Sequence, residues 1–183
     1  MEGWEIYPTQ VGDELTLIAV DLTWGGKTRA EELSWLFWLR VPFESEPGAL
    51  LPFEAEKARL EEVEGWLSDE IERESGVVVA RLTMPGRREF FAYTSTDCAA
   101  AILQGLEARF SRANFEARGR NDPAWQVYDE FLFPDPVQSQ RILNQQMIRN
   151  LEAGGDVVKI PRRVEHNAFF HSEDLAQEYC AFL

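Results

Sequence analysis

The run VVVARLTMPGRREFFAYT, residues 77–94, decides the fold class. Val77 to Met84 and Arg88 to Thr94 are β-branched and aromatic stretches on either side of Pro85-Gly86-Arg87, the turn chemistry of a β-hairpin. Upstream, Glu54 to Glu74 places Leu60, Val63, Leu67 and Ile71 on one helical stripe, with Glu61, Glu62, Glu64, Asp69, Glu70 and Glu72 elsewhere. Gly76 is expected to end that helix as the residue past its cap. Downstream, Asp97 caps a second helix to Phe110, burying Ala99, Ile102, Leu103, Leu106 and Phe110, and Asn114 to Arg118 adds a strand.

Three more strands precede the first helix. Trp4 to Tyr7 reads as a short one ended by Pro8. Glu14 to Leu22 is apolar on both of its alternating faces, and Ser34 to Phe43 is a central strand stopped at Pro42. The order predicts an α+β domain over residues 1–133, with one mixed or antiparallel sheet and helices packed mainly on one face. Pro134 and Pro136 mark a boundary. Residues 134–183 then read as helix, strand and helix. Val137 to Ala153 ends at Gly154-Gly155, a strand lies within Asp156 to Phe170, and Ser172 caps a helix carrying Leu175, Tyr179 and Phe182 on one side. A lone strand has unpaired edges, so this segment is expected to pack on the first domain or to be half of a larger module. Its apolar side makes a homodimer one way of covering it.

Composition narrows the classes of function. Thirty-two acidic against eighteen basic residues leave a net charge of −14, which disfavours direct binding to nucleic acid and favours a basic protein partner. Two cysteines, Cys98 and Cys180, are too few for a disulfide scaffold and imply reduced thiols. No signal-like start and no apolar run of membrane-spanning length is visible, so the expected location is the cytoplasm, with no membrane partner.

The motifs are sparse. Gly26-Lys27-Thr28 resembles the end of a phosphate-binding loop, but the position of its first glycine holds Asp21, so it reads as a turn. His166 and His171 are five apart, not the four that places two ligands on one helix face; no metal and no cofactor is expected. No nucleophile elbow or Cys-His signature occurs, so no catalytic residue is expected. From Glu44 to Glu74, eleven acids face three bases, a local balance of −8. Between Arg81 and Arg120, seven arginines oppose four acids. The chain is therefore polarised along its length.

The segment from Gln140 carries a resemblance. Gln140-Arg141-Ile142-Leu143 leads to Leu151-Glu152-Ala153-Gly154-Gly155-Asp156, followed by Val164-Glu165-His166 and Ser172-Glu173-Asp174-Leu175-Ala176. This is similar to the first half of the RraB family, small acidic regulators of ribonuclease E with a ferredoxin-like α+β fold. Trp4-x-x-Tyr7, the helix containing Glu54 to Leu67, Gly86-Arg87-Arg88-Glu89-Phe90-Phe91-x-Tyr93 and Trp125-x-x-Tyr128 resemble domain of unknown function 695. The first resemblance implies a non-enzymatic, protein-binding regulator, with ribonuclease E or another basic protein as partner. Contacts would come from Glu165, His166, Glu173 and Asp174. The acidic helix adds Glu61, Glu62, Asp69 and Glu70 by charge alone. Two alternatives stand beside it: a small-molecule site over the sheet lined by Trp24, Trp35, Trp38 and arginines, and an acidic immunity or antitoxin-like protein.

Overall fold

Pro85 presets its own φ, and Gly86 takes φ +73°, so the two close the central hairpin with a type II turn signature. The computed structural model describes residues 3–26, 31–110, 114–160 and 169–182. Around this hairpin, β4 (Val77–Met84) and β5 (Arg87–Thr94), a six-stranded sheet assembles in the order β1-β2-β4-β5-β3-β6, with every neighbouring pair antiparallel. The other strands are β1 (Trp4–Val11), β2 (Glu14–Asp21), β3 (Trp35–Pro42) and β6 (Glu116–Asn121). The chain is α+β, as the element order implies.

Two strands depart from expectation. β1 runs through Pro8 to Val11, because it is an edge strand and a proline needs no outward donor there. β6 covers Glu116–Asn121 rather than 114–118. It forms the opposite edge of the sheet, where polar and charged side chains are tolerated, so apolar alternation is a poor guide to its limits.

One sheet face is covered by α1 (Glu54–Arg73) and α2 (Ala99–Arg109). Leu60, Val63, Leu67 and Ile71 of α1, with Ile102 and Leu106 of α2, bury against Phe37, Leu39, Val41, Phe90 and Ala92. Each large side chain fully buried in this way contributes roughly 1.5–3 kcal/mol. Helix α1 ends in a Schellman motif, with Gly76 N–H on Ile71 O and Ser75 N–H on Glu72 O. The left-handed residue there is Ser75, at φ +56°, and not Gly76 as the glycine alone suggested.

The second face is covered by chain after the last strand. Trp125, Tyr128, Leu132 and Ile142 pack with Ile18, Val20, Leu36, Phe91 and Tyr93. Trp125 stacks flat on Tyr93 (3.8 Å, 4°) and its indole N–H donates to Leu33 O at 2.7 Å. A β-bulge at Val79 shifts the parity of β4, so that both Val79 and Ala80 join this layer. A single π-type turn, Tyr128–Leu132, lets the Tyr128 hydroxyl reach Asp21 O at 2.7 Å.

The chain divides into two compact units, up to Leu143 and from Asn144 onward. Helix α3 (Pro136–Ala153) begins in the first and ends in the second, where Gly155 at φ +86° terminates it. The second unit also holds α4 (Glu173–Phe182), whose Leu175 N–H is capped by the Ser172 hydroxyl. The strand expected within 156–170 falls largely on 161–168, which lie outside the described residues.

Candidate functional site

The antiparallel register sets three rows of side chains across the second face, each reading β5, β3, β6. They are Glu89–Arg40–Glu116, Phe91–Trp38–Arg118 and Tyr93–Leu36–Arg120. In the last two rows aromatic and aliphatic residues sit toward the sheet interior and arginines on the edge strand, whereas the first row carries its arginine on β3 between two glutamates. Where the Trp125–Leu132 segment stops covering this face, an open cleft of about 480 Å³ remains. Leu36, Phe91, Trp38 and Val127 supply its apolar lining, and Arg40, Arg118 and Arg120 its polar lining.

Glu89 organises the inner end. Its carboxylate is buried and accepts from Trp38 Nε1 (2.9 Å), Arg40 Nε (3.0 Å) and Arg87 Nε (3.3 Å). Arg40 also reaches both Glu116 oxygens at 3.4 Å, so its charge is answered within the protein. Arg87 is held by Glu14 as well, and that hydrogen bond keeps the Glu14 carboxyl below its usual range.

The outer end is different. The Arg40 and Arg118 guanidinium carbons lie 4.9 and 5.6 Å from the Trp38 ring centroid, within cation–π range. Arg118 is exposed and has no carboxylate within ion-pair distance among the described residues. Arg120 is 3.9 Å from Asp122, a weak contact, because Asp122 is already engaged. Its oxygens accept from Tyr93 Oη (2.7 Å) and from the amides of Gln126 and Val127. Burial pushes the Asp122 carboxyl upward, but these hydrogen bonds together with Arg120 outweigh it, and its pKa lies below the ordinary value. Asp122 thereby anchors Val127 in the cleft wall.

Gly119, between the two arginines, is required by packing. A Cβ there would lie 2.1 Å from Asp97 Oδ1, on the face opposite the cleft. Asp97 in turn accepts from Ala99 N–H at the start of α2, so the absence of a side chain at Gly119 lets the edge strand approach the start of that helix closely.

The residues singled out by charge do not converge. Glu61, Glu62 and Asp69 are exposed on the outer side of α1, while Glu70 is half-buried and paired with Arg73. Glu64, between them, turns inward to Arg81 at 2.6 Å. Glu173 and Asp174 are exposed in the first turn of α4, in the other unit. Glu165 and His166 lie outside the described residues. Of the three tryptophans expected over the sheet, only Trp38 lines the cleft. Trp24 packs on Trp125 with centroids 5.3 Å apart, and Trp35 has the opposite strand parity. Among the described residues, no group of three or more His, Cys, Asp or Glu is arranged to hold a metal ion, and no helix is long and apolar enough to cross a membrane.

A family model described as "Family of unknown function (DUF695)" matches residues 2–133, well over half of the chain. The chain belongs to the DUF695 family. No curated protein and no solved structure matches it. The DUF695 match includes all six strands, both helices of the first face and the Trp125–Leu132 cover, so the cleft lies wholly within the DUF695 domain. The match stops before Gln140, and no comparison supports the RraB resemblance of the following segment.

Sequence reasoning named Trp38 and expected arginines beside it, but it did not single out Arg40, Arg118 or Arg120 and missed Glu89. The signal was present as two alternations, Trp38-x-Arg40 and Glu116-x-Arg118-x-Arg120, each placing its residues on one strand face.

Proposed function

We propose that the DUF695 domain is a binding module that takes an anionic ligand in the cleft over β3, β5 and β6. The observation that carries this reading is Arg118. In a chain of net charge −14, an exposed guanidinium at the mouth of a cleft has no carboxylate partner among the described residues. Low-dielectric walls behind such a charge focus its field toward an incoming anion. The preorganised Glu89–Arg40–Trp38 cluster keeps the neighbouring charges from collapsing onto the site.

The test is a titration followed by the indole N–H resonances of the six tryptophans, with Trp38 assigned through Trp38→Phe. Sodium acetate and inorganic phosphate are added at constant ionic strength against a sodium chloride control. A saturable shift of the Trp38 signal, abolished in Arg118→Ala, is the expected result. Shifts that track ionic strength equally at all six indoles would overturn the reading.

The regulator reading, with a basic protein as partner, draws on the exposed acids of α1. Glu62 and Asp69, seven residues apart, share one helical stripe and make no ion-pair contact among the described residues, although Arg73 lies one turn from Asp69 and feels its charge. Charge reversal at both positions, Glu62→Lys with Asp69→Lys, would abolish salt-sensitive capture of a basic partner if this face docks it. Ribonuclease E is the first partner to test.

A further inference from the structure

The three cross-strand rows form a gradient as well as a charge site. Moving from β5 through β3 to β6, the cleft passes from Phe91, through Trp38 and Leu36, to Arg118 and Arg120. Val127 stands over the apolar end, its backbone held by Asp122 at 3.1 Å. Inorganic anions have no use for this apolar half. A ligand with a charged head and a hydrocarbon body would use both ends, gaining burial on one side and a charge-assisted hydrogen bond on the other.

We infer that the cleft takes an amphiphilic organic anion, whose carboxylate or phosphate head meets Arg118 and Arg120 and whose aliphatic or aromatic body lies over Leu36 and Phe91 against Val127. One guanidinium is left uncompensated, so a singly charged head is matched best, and an alkyl phosphate, close to dianionic at neutral pH, brings charge in excess. Arg40 is matched by Glu89 and Glu116, and Arg120 is shared with Asp122. A second charge would find only Arg120, already close to a carboxylate. The orientation follows from the register: Arg118 is directly across from Trp38 and Arg120 from Leu36, so head and body occupy adjacent strands. The body points away from the sheet edge. This inference rests on the anion-binding reading of the same cleft and adds the chemical class of the ligand.

Two homologous series test it on the full chain: acetate, butyrate and hexanoate, and methyl, butyl and hexyl phosphate. Binding is read by titration calorimetry and by the Trp38 indole signal. Each methylene that enters the apolar half should tighten binding about fourfold, the value set by roughly 0.8 kcal/mol per buried CH₂. Arg118→Ala should weaken every member of a series by the same factor. Val127→Ser should flatten the chain-length dependence, weakening hexanoate and hexyl phosphate more than acetate and methyl phosphate. The tighter of the two series identifies the head as carboxylate or phosphate.

Equal affinity of acetate and hexanoate, and of the two phosphate extremes, would overturn the amphiphile inference and leave the anion site standing. Absence of saturable binding by every member would overturn both. The wild-type chain-length slope needs no variant, so the test holds even if Val127→Ser unfolds. A slope unaffected in a folded Val127→Ser protein would refute the placement of the body.

Discussion

Replacing Glu89 with leucine removes one buried carboxylate and three hydrogen bonds at once, those from Trp38, Arg40 and Arg87. Its side chain is 10% exposed, whereas those of Arg40 and Arg87 are 36% and 26% exposed. Hydrogen bonds to a charged group are worth about 1.5–3 kcal/mol each, and breaking a fully buried ion pair costs about 3–5 kcal/mol. Both figures need discounting here. Arg40 keeps Glu116, Arg87 keeps Glu14, and water reaches both guanidinium groups. The Trp38 indole N–H has no such second acceptor. Glu89→Leu should therefore destabilise the first unit by about 3 kcal/mol. Glu89→Gln keeps an acceptor oxygen but not the charge, and should cost about 1–2 kcal/mol. Urea unfolding at neutral pH measures both as shifts of midpoint at constant slope. Most of the loss should persist in about 1 M salt, because the carboxylate is shielded from counterions. A Glu89→Leu protein within about 0.5 kcal/mol of the parent would refute the organising role of this residue.

Two further outcomes follow from backbone and titration. Ser75→Gly should stabilise by about 0.5–1 kcal/mol, because Ser75 holds the left-handed position of the Schellman motif at φ +56°. A thermal midpoint raised by roughly 2–4 °C is the readout, and an unchanged or lower one contradicts it. Tyr7 is buried, its hydroxyl donates to Leu132 O at 2.9 Å, and burial, aided by Asp135, raises its pKa to about 12. A raised folded-state pKa contributes stability that is complete below about pH 10 and lost as pH rises through 12. Tyr7→Phe should thus be less stable near neutrality and lose less stability than the parent between pH 10 and 12; parallel alkaline limbs would contradict this.

Much of the fold was legible because its signals are local. The α1 stripe and the Pro85-Gly86 turn depend on residues a few positions apart and appear where periodicity and turn chemistry put them, whereas the N-cap of α2 is Cys98, one residue past the expected Asp97, which still accepts from Ala99 N–H. Misreadings cluster at the sheet edges. Pro8 inside β1 and the polar β6 obey rules for edge strands, and which strand is an edge depends on pairing order, not on local composition. Gly76 beside Ser75 misled for a related reason: the left-handed residue is set by where the helix hydrogen bonds run out.

The cleft was only half legible. Trp38 stood out as a bulky residue, while Arg118 and Arg120 were counted as part of a mildly basic stretch. Glu89 looked like one more acid in an acid-rich chain, although it is one of few charged side chains buried among the described residues. The second face shows the same limit. Trp125 and Tyr128 were visible three apart, but their stacking on Tyr93 and their hydrogen bonds to Leu33 and Asp21 span distances that no local pattern encodes.

The amino-acid sequence by itself determined the elements, the α+β class and the separation of acidic from arginine-rich stretches. Those properties arise from side-chain periodicity and charge counted along the chain. Only the tertiary structure decided that β3 lies between β5 and β6, and hence that Trp38, Phe91 and Arg118 form one row. The physical reason is register. Hydrogen-bond pairing between strands distant in sequence chooses which side chains become neighbours, and a site built across three strands exists only once that choice is made.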